Sequence, residues 1–104
     1  MQRAEHVLSA IRGKGGEAAA FVADCSSIDE IRRLAGEVVG RFDGVDILVN
    51  NTGIMHTASI EDTTEEKWDA QLDLNLKGAF FLTQACLPEF KRKGHGKVIN
   101  VTSI

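Results

Sequence analysis

Asp43-Gly44-Val45-Asp46-Ile47-Leu48-Val49-Asn50-Asn51-Thr52-Gly53 decides how the rest of the chain is read. Asp43-Gly44 is a turn signal that breaks a preceding helix, and Val45 to Val49 is a short apolar run. A run this short, bounded by turn residues, reads as a strand buried on both faces. Upstream, Ile28, Ile31, Leu34, Ala35, Val38 and Phe42 form one helical stripe, entered by Ser27 and Glu30 at capping-box spacing. Before that, Ala18 to Ala23 is another short apolar run between Gly and Asp, again read as a buried strand. Ala4, Val7, Leu8 and Ile11 follow i, i+3, i+4, i+7, which predicts a helix over the first dozen residues, closed by Gly13-Lys14-Gly15-Gly16. Downstream, Thr63 and Glu66 repeat the capping-box spacing ahead of a long helix to about Phe90. Gly94-His95-Gly96 then turns the chain into a strand over Lys97 to Val101.

The order is α-β-α-β-α-β, three helices and three strands. Strands separated by helices imply parallel βαβ crossovers and a layered α/β fold. A length of 104 residues allows one small domain, residues 1–104, able to bury roughly two-thirds of its unfolded surface. Lys and Arg number 12 against 15 Asp and Glu, so the net charge of −3 argues against nucleic acid as a partner. No apolar run approaches the ~20 residues of a membrane span, and the first residues are polar and charged rather than a signal peptide. Cys25 and Cys86 lack CxxC spacing, which predicts free thiols and a cytoplasmic location. His6, His56 and His95 share no ligand spacing with each other or with the cysteines, so no metal site is expected.

In a parallel sheet the C-terminal strand ends share one edge, and ligands bind in the crevice there. Asp24-Cys25-Ser26, Asn50-Asn51-Thr52-Gly53 and Thr102-Ser103 supply that edge, each with compact polar groups. Taken singly, Asp24 and Ser26 read equally as turn residues, and the Asn pair as loop residues satisfying backbone groups. Their convergence favours a ligand site. Lys91-Arg92-Lys93, at a helix C-terminus, is read as dipole capping rather than as a binding patch. Cys86 falls on the apolar side of the long helix.

Val49-Asn50-Asn51-Thr52-Gly53, Asn75-Leu76-Lys77-Gly78-Ala79-Phe80 and Val98-Ile99-Asn100-Val101-Thr102-Ser103 resemble, in type, order and spacing, three signatures of the short-chain dehydrogenase/reductase family. The resemblance covers essentially the whole chain, with Thr52 standing where that family usually has Ala. It implies a partial Rossmann-like doubly wound parallel sheet and an NAD- or NADP-dependent oxidoreductase acting on an alcohol/ketone pair, a small-molecule substrate. Carried over residue by residue, Asp24 is expected at the adenine amino group, with Cys25 beside it. Asn50, Asn51, Thr52 and Gly53 are expected in the loop along the cofactor ribose. Asn75 is expected to mark a kink whose freed carbonyl holds a water in a proton relay, and Ser103 to orient the substrate carbonyl. The long helix 64–90 is implied as the interface of a homo-oligomer, so that Trp68, Leu72, Phe80 and Phe81 serve either core or partner.

The same resemblance implies features that this chain lacks. It has no Tyr, whereas the family's proton donor is a Tyr assisted by a following Lys. Gly13-Lys14-Gly15-Gly16 is not the family's pyrophosphate turn, because it follows a helix and precedes a strand. The chain is therefore expected to be an internal piece of a longer enzyme, inactive alone. The alternative is a non-catalytic α/β remnant that binds nucleotide weakly or only oligomerises. Its first strand would stand two absent strands from the next, roughly 14 Å away at ~4.8 Å per step. Three outcomes follow: that strand moves beside its neighbour, a second chain fills the gap, or the piece is marginally folded.

Overall fold

The computed structural model describes residues 2–53 and 58–101. Along the chain come α1 (Gln2–Gly13), α2 (Ile28–Phe42), β1 (Ile47–Asn50), α3 (Glu65–Leu72), α4 (Gly78–Lys93) and β2 (Lys97–Asn100). A single π-helical turn, Asp73–Lys77, joins α3 to α4. β1 and β2 pair in parallel, from Ile47 opposite Lys97 to Asn50 opposite Asn100. Lys97 N–H to Asp46 O (3.1 Å) and Val101 N–H to Asn50 O (2.9 Å) extend the ladder at both ends. α4 lies between the two strands in sequence and packs on both α2 and β1.

Local chemistry sets the element ends. Ser27 Oγ accepts the Glu30 N–H at 3.4 Å and so caps α2. Asp43 closes α2 in the left-handed region, φ 59°, with its N–H on Val39 O. α3 is capped by Thr64, whose hydroxyl accepts from Lys67 N–H at 3.2 Å. This corrects the expected cap at Thr63, whose hydroxyl instead donates to Ser59 O. The long helix expected as far as Phe90 is two helices that run on to Lys93, divided at the π turn around Asn75. Arg92 and Lys93 do more than cap α4: Arg92 Nη2 donates to Asp43 O at 3.1 Å, and Lys93 Nζ meets Asp46 Oδ1 at 2.9 Å. They fasten the end of α4 to the loop entering β1.

The α/β class and the parallel pairing stand, but among the described residues Ala18 to Ala23 forms no strand. This corrects the expected count of three. A strand exists only within a ladder, and among the described residues β1 pairs with β2 alone. Re-pairing of this segment beside β1 is thus not adopted. Arginines take its carbonyls instead: Arg12 Nη2 donates to Ala18 O (2.9 Å) and Arg33 Nη2 to Val22 O (2.7 Å). Arg41 pairs with Glu17 at 2.6 Å.

Ile31 on α2 and Cys86 on α4 are the buried apolar residues among those described, at 1% and 4% exposure. The chain exposes 7803 Å², against about 5,700 Å² for a compact protein of this mass. Its radius of gyration is 15.8 Å, against about 13 Å for a compact domain of this length. Alternation and register place Ile47, Val49 and Ile99 on one face of the sheet, and each is at least half exposed, so that face is largely uncovered.

Side-chain donors hold carbonyls of the 18–23 segment, but among the described residues its amides have no ladder acceptor. In hydrogen–deuterium exchange of the monomer, Ala18–Ala23 should exchange near the intrinsic rate while the β1 and β2 amides that join the two strands are protected. Strong protection of Ala18–Ala23 in a proven monomer would contradict this arrangement.

Candidate cofactor and catalytic site

Asn50 ends β1, and its carboxamide joins three elements. Nδ2 donates to Asn100 Oδ1 across the strand ends (2.9 Å) and to Thr83 Oγ1 on α4 (3.3 Å). The Thr83 hydroxyl donates in turn to Ala79 O, one turn back in its own helix (2.8 Å). Asn50 is 8% exposed, and these bonds replace the water that burial removes from its amide.

From Asn50 the loop Asn51-Thr52-Gly53 runs to the π-helical turn. A Cβ on Gly53 would stand 3.0 Å from Asn75 Oδ1, tighter than an ordinary contact, so the loop passes close against the Asn75 side chain. Asn75 sits in the middle of the turn Asp73–Lys77, which Gly78 N–H closes by reaching back to Asp73 O. An i→i+5 turn of this kind inserts one residue into a helix and marks functional positions more often than chance. What the structure shows at the position expected to kink is this π-helical turn.

Gly78 is the second close approach. A Cβ there would lie 2.5 Å from Cys25 O, a backbone atom that cannot swing aside. The 24–26 turn thereby packs on the start of α4. Asp24 Oδ1 accepts from Ser26 N–H (3.0 Å) and from the Ser26 hydroxyl (2.6 Å), which holds its carboxyl below the usual aspartate range. The turn reading of Asp24 and Ser26 is therefore correct as far as it goes. Burial, then the neighbouring Asp24 charge, push the Cys25 thiol up. Both effects favour the neutral thiol form of Cys25.

Between α4 and the strand ends lies an open cleft of about 620 Å³. Asn50, Thr52, Asn75 and Asn100 bring polar groups to it, and Leu76, Phe80, Leu87 and Val101 give it apolar walls. Asn50, Thr52 and Asn75 thus line one cleft, with Gly53 against Asn75. Asn51 is exposed on the same loop. Cys25 shares a smaller pocket with Asn50, Thr52 and Gly78. Thr102 and Ser103 lie outside the described residues. Two members went unassigned at the sequence level, Thr83 and Asn100. The signals were a hydroxyl on a largely apolar helix and an Asn at a strand end matching Asn50. Trp68 and Phe80, 59% and 63% exposed, are not core residues, whereas Cys86 is.

A parallel strand pair joined by a helical crossover, with a cleft on the edge where the strands end, is a partial Rossmann-like α/β arrangement. The family model described as short chain dehydrogenase matches residues 1–104. This chain belongs to the short-chain dehydrogenase family. It is 40% identical over 102 residues to the 3-oxoacyl-acyl-carrier-protein reductase FabG of Staphylococcus epidermidis, covering 98% of this chain and 42% of that protein. It is 44% identical over 91 residues to the D-beta-hydroxybutyrate dehydrogenase of Cupriavidus necator, covering 88% of this chain and 35% of the relative. A metagenomic short-chain oxidoreductase solved in complex with NADP superposes with a TM-score of 0.92 at 30% identity, over 99% of this chain and 47% of that one. The chain thus spans less than half the length of these relatives.

Two predictions follow from this geometry. Gly78→Ala should destabilise the chain, because overpacking against Cys25 O costs about 1–3 kcal/mol and outweighs the helix-propensity gain of up to ~1 kcal/mol. A lowered urea midpoint checks this, and an unchanged or raised midpoint contradicts it. The Asp24 carboxyl, lowered by Ser26, stabilises the turn at pH values above the unfolded aspartate pKa of ~3.9 and ceases to as pH falls through its lower folded value. The Ser26 amide resonance should therefore titrate with a midpoint below ~3.9; a midpoint above that value would refute the contact.

Proposed function

We propose that this chain forms part of an NAD- or NADP-dependent oxidoreductase that moves hydride between a nicotinamide and an alcohol/ketone pair. The observation that carries the reading is the junction of the Asn50–Gly53 loop, Asn75 and the strand ends around one cleft. These residues fit a dinucleotide. The loop offers backbone and carboxamide groups without a Cβ at Gly53, and the cleft has both polar and apolar walls. The bound nicotinamide would supply the hydride. Asn50, Asn51, Thr52 and Gly53 would line the ribose, with Cys25 and Asp24 toward the adenine. A carboxylate has acceptor capacity beyond the two bonds Asp24 Oδ1 makes with Ser26. Asn75 would hold a proton-relay water, and Ser103 would orient the substrate carbonyl.

With no Tyr in its sequence, the chain has no counterpart of the family's proton donor, so we propose that it binds nucleotide without turnover by itself. The second reading, a non-catalytic piece that only associates, is favoured by one observation. Trp68 and Leu72 on α3, Leu76 in the π turn and Phe80 on α4, spaced four apart in sequence, are 39–66% exposed. We propose this stripe as a homo-oligomer interface. Free thiols at Cys25 and Cys86 support a cytoplasmic setting.

Titration of the 104-residue chain with NADH and NADPH, followed by nicotinamide fluorescence, should give saturable micromolar binding. Amide protection should rise at Asp24 and Asn50–Gly53. No binding with either nucleotide would leave only the second reading. In sedimentation the chain should self-associate, and the pair Trp68→Asp and Leu72→Asp should shift it to monomer. An unchanged mass would remove this stripe from the interface.

A further inference from the structure

We propose that Thr83 and Asn100 are positioning residues of the cofactor loop, locking the Asn50 carboxamide and so setting where Asn51–Gly53 stands against Asn75. Its functional consequence rests on the nucleotide reading above; its geometry does not. The Asn50 amide has two hydrogens and two acceptors, Asn100 Oδ1 at 2.9 Å and Thr83 Oγ1 at 3.3 Å. Thr83 has one hydroxyl hydrogen and gives it to Ala79 O at 2.8 Å. It can therefore meet Asn50 only as an acceptor. The direction of the chain is fixed: Asn50 donates to Thr83, and Thr83 to Ala79.

That chain ends beside the site. Ala79 follows Gly78, whose N–H closes the π turn on Asp73 O and whose Cα packs on Cys25 O. A second route leaves Asn50 through its own backbone and reaches the same turn where Gly53 meets Asn75. The two routes close a loop of contacts around one end of the cleft. Gly53 has no side chain with which to grip its surroundings, so the loop must be held from its start, at Asn50. With either acceptor removed, the Asn50 amide loses one restraint, and an error at the pivot is carried to Thr52 and Gly53. Small displacements of this kind in binding geometry are costly.

The test uses two substitution pairs in the 104-residue chain. Thr83→Val removes the acceptor while keeping shape, and Thr83→Ser keeps the hydroxyl. Asn100→Leu removes the second acceptor, and Asn100→Asp keeps an acceptor oxygen. Thr83→Val should weaken NADPH binding about fivefold, the worth of one hydrogen bond. It should also speed amide exchange at Asn51–Gly53 while the middle of α4 stays protected. Thr83→Ser should match the parent in both. Asn100→Leu should loosen the same three amides and Asn100→Asp should not. Val and Ser variants that behave alike, or loop exchange unchanged in Thr83→Val, would overturn the proposal. Exchange that rises equally along α4 would also overturn it, since a merely structural role would loosen the helix as a whole. A parent chain that does not bind NADPH defeats the nucleotide reading alone, and the exchange comparison still decides the positioning role. Should Thr83→Val fail to fold, the Asn100 pair decides it.

Discussion

Four registered pairs, Ile47–Lys97 to Asn50–Asn100, hold together two segments far apart in sequence. Parallel pairing requires a crossover, and α3, the π turn and α4 provide it. Because the strands run the same way, their last residues emerge side by side. Asn50 therefore faces Asn100, and the loop after Asn50 leaves the sheet next to the helix that returned the chain. The cleft, the Gly53–Asn75 approach and the Asn50 hydrogen bonds all follow from that alignment. A one-residue slip would turn every side chain of a strand to the opposite face and take Asn50 out of reach of Thr83.

The other half of the molecule is held differently. Residues 17–23 belong to no ladder, and charged side chains from α1 and α2 hold carbonyls there. Exposed ion pairs such as Arg41–Glu17 contribute about 0–1 kcal/mol each, far less than a row of ladder bonds with packed side chains. Burial adds little, since among the described residues the buried apolar positions are Ile31 and Cys86. The 24–26 turn nevertheless keeps its place, because the contact of Gly78 with Cys25 O seats it on α4. Steric fit at one glycine thus ties the loosely held half to the site.

Much of this was legible along the chain. Helix periodicity located α1 and α2 to within a residue or two, since an amphipathic helix repeats its apolar positions whatever it packs against. The Asn50–Gly53 motif was read at the strand-end edge and Asn75 inside the long helix, and the structure brings Asn50, Thr52 and Asn75 to one cleft. The cap at Thr64 rather than Thr63 is the familiar limit of such reading, for two adjacent threonines offer the same hydroxyl. Residues 18–23 have the composition of a buried strand, but composition records a preference for a sheet interior and cannot supply the partner.

By itself, then, the sequence determined the α/β alternation, the helix stops at Gly13–Gly16 and Asp43–Gly44, and the family, because these depend on local backbone preference and short motifs. Tertiary structure alone decided that β1 and β2 pair while 18–23 does not, because a ladder needs a second strand within hydrogen-bonding distance. It alone enlisted Thr83 and Asn100, 33 and 50 residues from Asn50, because a buried carboxamide must find acceptors wherever the fold places them.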